Sequence, residues 1–135
     1  MAQSENQRLK LLYLVKIFSE QTDDDHGLSL KEIASRLNGY SITADRKTLY
    51  SDFELLRHFG FDIVSVQQGR DLLYHMGKRQ FELPELKLLV DSVQSARFLT
   101  EKKSNELISK LESLCSTYEA KHLQRQVGRL RVIIL

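Results

Sequence analysis

The sequence predicts a mainly α-helical fold with a small β hairpin. Three observations lead there. Three apolar-periodic segments with helix start or stop residues precede Phe61. A β-branched run and an apolar run then flank Gly69. Beyond Pro84, two more helical stripes follow.

The first helix is expected from about Gln7 to Glu20. Leu9, Leu11, Leu12, Tyr13, Leu14, Val15, Ile17 and Phe18 wrap most of its circumference, so it should be covered on most sides. Thr22–Gly27 reads as a polar loop. Its three adjacent carboxylates lack the alternating ligand spacing of a calcium loop, so a solvated loop is expected. Ser29-Leu30-Lys31-Glu32 is a capping box that opens a short second helix with Leu30, Ile33, Ala34 and Leu37 on one face. Gly39 is expected to end it in the left-handed conformation. The third helix should run from about Asp45, a good N-cap, to Phe59, with Gly60 as its stop and Leu49, Phe53 and Leu56 as its buried stripe.

A hairpin follows. Phe61–Val66 is the outgoing strand, Gln68-Gly69-Arg70-Asp71 the turn and Leu72–Met76 the return. Three helices and then a two-stranded wing is the order of a winged helix-turn-helix. Gly77–Gln80 looks like a linker, and Pro84 suits the first turn of a fourth helix striped by Leu86, Leu89, Val90, Val93 and Ala96. A fifth helix should begin after Thr100, with Leu107, Ile108, Leu111, Leu114, Cys115 and Tyr118 on one side. Val132-Ile133-Ile134-Leu135 is strand-like. The organisation expected is a winged helix-turn-helix over residues 1–79, a helical connector with a dimerising capacity over 80–127, and a tail at 128–135.

The chain has 135 residues, with 20 Lys and Arg against 18 Asp and Glu, for a formal net charge of +2. The length fits one domain, or a small domain with a helical extension. So balanced a charge does not by itself point to nucleic acid; its local placement must. Cys115 stands alone, which excludes an internal disulfide and fits a small buried residue. Residues 1–6 are mostly polar and Lys10 and Lys16 interrupt the first apolar stretch, unlike a secretory leader. No run approaches the roughly 20 apolar residues of a membrane span. A cytoplasmic location with no membrane partner is expected.

On the third helix, the face away from Leu49, Phe53 and Leu56 presents Lys47, Thr48, Ser51 and Glu54, with Arg46 and Tyr50 at its edges. Its first two turns thus offer long donors and hydroxyls where a recognition helix meets the major groove. Arg or Lys can bond guanine O6 and N7, and Thr can contact a thymine methyl. Tyr50 and Ser51 are suited to phosphate oxygens. Glu54 is unfavourable against phosphate, so either it accepts from a cytosine amine or the helix has left the groove by that point. Lys31 and the backbone N–H groups at the N-terminus of the second helix are expected to serve as a phosphate clamp. Gln67, Gln68 and Arg70 sit at the wing tip, where Arg70 can enter the minor groove or hold a phosphate. Solvation alone also explains such a surface, and Asp45, Asp52, Asp62 and Asp71 dilute its positive field.

Ala44–Leu56 (ADRKTLYSDFELL) resembles the recognition-helix signature of DeoR-like helix-turn-helix regulators, and Phe59-Gly60-Phe61-Asp62-Ile63 resembles the start of their wing. Phe81–Phe98 (FELPELKLLVDSVQSARF), with Thr100–Ser104, is similar to the connector of WYL-domain transcriptional regulators. Together these segments span about residues 7–127. The resemblance implies a dimeric, sequence-specific, double-stranded-DNA-binding regulator. It carries the recognition-helix role onto Arg46, Lys47, Thr48, Tyr50 and Ser51. It also implies an effector, a nucleotide or nucleic acid, bound by a C-terminal sensor domain. Residues 128–135 do not continue the resemblance, so no sensing residue is assigned.

Ser104, Leu107, Leu111, Leu114 and Tyr118 fit heptad steps. Two readings stay open: packing on Leu86, Leu89, Val90 and Val93 of the same chain, or a two-fold homodimer suited to palindromic half-sites. His26, His58, His75 and His122 are scattered and form no metal-ligand spacing with Cys115. No phosphate-binding glycine loop or nucleophile motif occurs. Neither an enzyme nor a cofactor is expected. The competing function is a protein-interaction module that heterodimerises without a sensor. RNA binding is less favoured, because no aromatic stacking platform is evident.

Overall fold

The computed structural model describes the backbone of residues 2–134 and the side chains of residues 5–125. It is mainly helical with one two-stranded antiparallel sheet. The chain divides into two compact units, Met1–Lys78 and Arg79–Leu135.

In the first unit, α1 (Ala2–Arg8) and α2 (Lys10–Gln21) stand where the apolar periodicity predicts one helix from Gln7 to Glu20. The break falls at Leu9. Side chains of α1 are used by a distant loop: Asn6 Nδ2 donates to Tyr40 O at 2.7 Å, Gln7 Nε2 donates to Thr43 O at 3.0 Å, and Thr43 N donates back to Gln7 Oε1 at 3.2 Å. Such long-range bonds cannot be read from a hydrophobic period.

The loop after α2 is not solvated throughout as the sequence predicts. Thr22 and Asp23 are buried. The Thr22 hydroxyl donates to Phe18 O at 2.6 Å and accepts from Met76 N at 2.9 Å. Asp23 Oδ1 accepts from Asp25 N at 2.9 Å and meets His26 Nδ1 at 2.8 Å. The polar residues go inside because each finds a partner there.

The helix α3 (Leu30–Asn38) opens with the expected capping box on Ser29 and Glu32. Its end differs from expectation. Gly39 stays right-handed, at φ −62° and ψ −21°, and the left-handed residue is Ser41, at φ 62°. The helix tightens through Tyr40 N to Leu37 O at 2.9 Å, which defers the reversal by two residues. Tyr40 stacks on Tyr13 at 4.3 Å between ring centroids, and Ile42 is buried just beyond.

The helix α4 (Arg46–Phe59) starts at its N-cap Asp45 and stops at Gly60, whose φ of 130° disfavours any residue with a Cβ. Leu49, Phe53 and Leu56 face inward as the i, i+4, i+7 spacing predicts. They join Leu14, Ile17, Phe18, Ile33, Leu37 and Ile42 in one core. The Phe53 ring meets Phe18 at 5.5 Å and Tyr74 at 4.9 Å. Truncating so central a ring to alanine typically costs about 3–5 kcal/mol.

Strands β1 (Ile63–Gln68) and β2 (Asp71–Met76) pair from Ile63 with Met76 to Gln68 with Asp71. The strands run closer to the tip than expected, so Gln68 ends β1 and the turn is only Gly69-Arg70. Gly69 has φ 63° while Arg70 does not have a positive φ, the pattern of a type II′ turn. A third strand segment, one residue long, lies between α2 and α3. Leu28 N donates to Tyr74 O and Tyr74 N to Leu28 O, each at 2.8 Å. The sheet order is thus Leu28, β2, β1.

In the second unit, α5 (Leu83–Ser95) begins with Pro84 in its first turn, and Leu86 and Val90 are buried. Where the pattern predicts one helix running through Tyr118, α6 (Glu101–Glu112) stops and α7 (Thr117–Ile134) begins. Cys115 and Ser116 are buried in the break. The Ser116 hydroxyl accepts from Glu119 N at 3.1 Å at the start of α7. Leu86, Val90, Ile108, Cys115 and Leu123 form the core, with Leu89, Val93 and Leu111 packed on it. Leu111 therefore meets its own chain, and the Ser104–Tyr118 heptad run is interrupted. Residues 132–134 are helical, not strand-like, because α7 continues through 127–128 to Ile134; Leu135 lies outside the described residues. Among the described residues, no helix is long and apolar enough to cross a membrane.

Candidate nucleic-acid interface

A helix advances by about 100° per residue, so a core stripe at Leu49, Phe53 and Leu56 fixes where the other α4 side chains point. Lys47 and Ser51 fall opposite the core and are exposed. Arg46 and Tyr50 fall toward the hairpin and are also exposed. Thr48 and Asp52 fall toward α2, where Lys10 meets them: its ammonium is 3.2 Å from the Thr48 hydroxyl and 2.7 Å from Asp52 Oδ2. The Lys10 and Asp52 side chains are each largely buried, so this contact fixes α4 on α2 and hides the carboxylate from the outer face.

Thr48 is more committed than the sequence suggests. Its hydroxyl donates to Asp45 O at 3.1 Å and accepts from Asp45 N at 3.2 Å as well as from Lys10. A hydroxyl has one proton and two lone pairs. All three are in use, which leaves the Thr48 methyl as its contribution to a partner. Thr48 N donates to Asp45 Oδ1 at 2.8 Å, and this bond holds the Asp45 carboxyl below the ordinary aspartate range.

Tyr50 lies within electrostatic reach of the phenol of Tyr74, a core residue on β2. Burial foremost, and then Tyr50, push the Tyr74 pKa above the ordinary tyrosine value, while Arg57 and Arg46 pull it down. Two phenols and two guanidinium groups thus share one electrostatic neighbourhood on the hairpin side of α4.

Glu54 is exposed, but it is not a lone carboxylate facing a groove. It forms an ion pair with Arg57 one turn later. Arg57 Nε also donates to Ile63 O at 2.8 Å, joining the end of α4 to β1. Reading the polar face by residue type missed Arg57; the i, i+3 Glu-Arg spacing was the available signal.

The remaining candidates lie elsewhere on the same unit. Lys31 is exposed in the first turn of α3. Gln68 and Arg70 are exposed at the hairpin end, and Gln67 Nε2 donates to Gly69 O at 3.1 Å across the turn. Arg46, Lys47, Tyr50 and Ser51 form one continuous surface on α4, while Lys31 and Arg70 are carried by separate elements.

Among the described residues, no group of three or more His, Cys, Asp and Glu could hold a metal ion. No family model, curated protein or solved structure matches this chain.

Proposed function

We propose that residues 1–78 form a winged helix-turn-helix and that the chain is a sequence-specific, double-stranded-DNA-binding transcription regulator, not an enzyme. The observation that carries this reading is α4. Its apolar stripe is turned inward while Arg46, Lys47, Tyr50 and Ser51 stand exposed on its first two turns. A rigidly seated helix with donors on its outer N-terminal face suits the major groove. The order helix, Leu28 segment, helix, helix, β1, β2 supports the winged form. So does a two-residue wing tip carrying Arg70. Lys47 reads base edges, Arg46, Ser51 and Tyr50 hold phosphates, Thr48 offers its methyl, and Lys31, Gln68 and Arg70 position the duplex.

The resemblance to WYL-domain regulators adds a homodimer and an effector bound by a separate sensor domain. The second unit suits self-association, since Leu88 and Phe98 are 67% and 87% exposed. The test is selection of bound duplexes from a random DNA pool, followed by a salt titration. Enrichment of a paired half-site, with affinity falling log-linearly as salt rises, is expected. A pool that remains random, with no binding at low salt, overturns the reading.

A second reading has one specific observation behind it. Phe59 is 81% exposed and stacks on Phe61 at 5.7 Å, and Leu55 is exposed on the same helix. Exposed aromatic residues of this kind suit a protein partner. Such binding would persist at high salt, unlike binding driven by phosphate.

A further inference from the structure

The hairpin-facing side of α4 holds more than the sequence-derived surface. Arg46, Tyr50 and Arg57 lie along it, spaced i, i+4 and i+11, so they form one stripe down the helix. The stripe is braced where Arg57 Nε donates to Ile63 O at 2.8 Å. Arg57 Nε is committed to the fold, but its terminal Nη1 bonds Oε1 of the exposed Glu54. The Glu54 side chain is 72% exposed and that of Arg57 35%. A carboxylate on an exposed guanidinium has the charge and donor demand of a phosphodiester oxygen.

We propose that the Arg46–Tyr50–Arg57 stripe is a DNA-phosphate site, and that Glu54 occupies its Arg57 end as an internal competitor until a backbone phosphate displaces it. The proposal rests on the DNA-binding reading above. Its consequence is a threshold against non-specific duplexes. A phosphate that arrives without the rest of the interface in register must break the Glu54–Arg57 pair with nothing to offset the loss. A correctly seated duplex breaks the pair with the remaining contacts formed.

The test uses the full chain, one random-sequence duplex and a salt series. Arg57→Gln is expected to flatten the slope of log affinity against log salt by about 0.9, the value of one lost phosphate contact. Glu54→Gln, which keeps the side chain's size and the Arg57–Ile63 bond, is expected to tighten low-salt binding several-fold. In the double variant that gain should disappear, because the competitor acts only through Arg57. A circular-dichroism melt of each variant verifies the fold, and Glu54→Gln remains decisive if Arg57→Gln does not fold. Wild-type protein that ignores duplex at low salt overturns the DNA reading and this site with it. Wild-type protein that binds, with both single variants equal to it, removes only the site. If Glu54→Gln gains as much without Arg57 as with it, Glu54 merely repels DNA and the competition is refuted.

Discussion

Ser41 is, among the described residues, the non-glycine residue with a positive φ. It sits in the turn that sets α4 relative to α3, and a left-handed L-residue there costs about 1–2 kcal/mol. Glycine removes that penalty but adds entropy to the unfolded chain. Ser41→Gly is therefore expected to stabilise the first unit by about 0.5 kcal/mol, read as a raised denaturant midpoint with an unchanged m-value. Asp45 acts at the same turn through its charge. Its carboxyl is held below the ordinary range by the Thr48 N–H, so its ionisation stabilises the fold above the unfolded aspartate pKa. That contribution is lost as pH falls through the lowered folded value. Asp45→Asn, which caps without titrating, should show a flatter acid limb in melting temperature against pH. An unchanged acid limb would remove Asp45 from the acid response.

At the scale of elements, α4 divides its circumference among three neighbours. Its core face fills the space between α2 and the sheet, one flank is tied to Lys10, and the other is tied through Arg57 to Ile63. The exposed remainder is where a partner can lie. Lys47→Ala is expected to reduce preference for a selected site by about 1–3 kcal/mol, the worth of one good base contact. Arg70→Ala at the hairpin tip is expected to weaken selected and random duplexes alike. Competition binding with both duplexes separates the two, and equal behaviour of the variants would refute this division of roles. The hairpin that carries Arg70 owes its short turn to Gly69, and its attachment to both β1–β2 pairing and the Leu28 segment.

Across the whole molecule, each unit has its own core, and the chain passes from one to the other between Lys78 and Arg79. The linker expected at Gly77–Gln80 spans that point. The heptad pattern does not locate a face for the proposed homodimer. Leu111 carries the heptad pattern but is packed on its own unit's core, so its substitution would report on folding. Leu88 is outside that core and exposed. Leu88→Glu is expected to lower the mass seen in light scattering from dimer to monomer while leaving the helical circular dichroism unchanged. Retention of a dimer mass would exclude the Leu88 face of α5 from self-association.

The sequence by itself determined the local features. Capping residues Ser29 and Asp45, the stop at Gly60, Pro84 in a first turn and the inward stripes of α3, α4 and α5 all follow from interactions within one or two helical turns. Most of the exposed α4 surface follows from the same periodicity. The tertiary structure alone decided what depends on partners distant in the chain. Leu28 pairs with Tyr74, Lys10 closes over Thr48 and Asp52, Thr22 caps Met76, and Tyr50 comes within electrostatic reach of Tyr74. Each of these joins residues at least 24 positions apart, where no local period reaches. The break at Leu9 belongs with them, because Asn6 and Gln7 bond the distant Tyr40–Thr43 loop, which outweighs the modest preference of a short segment to remain one helix.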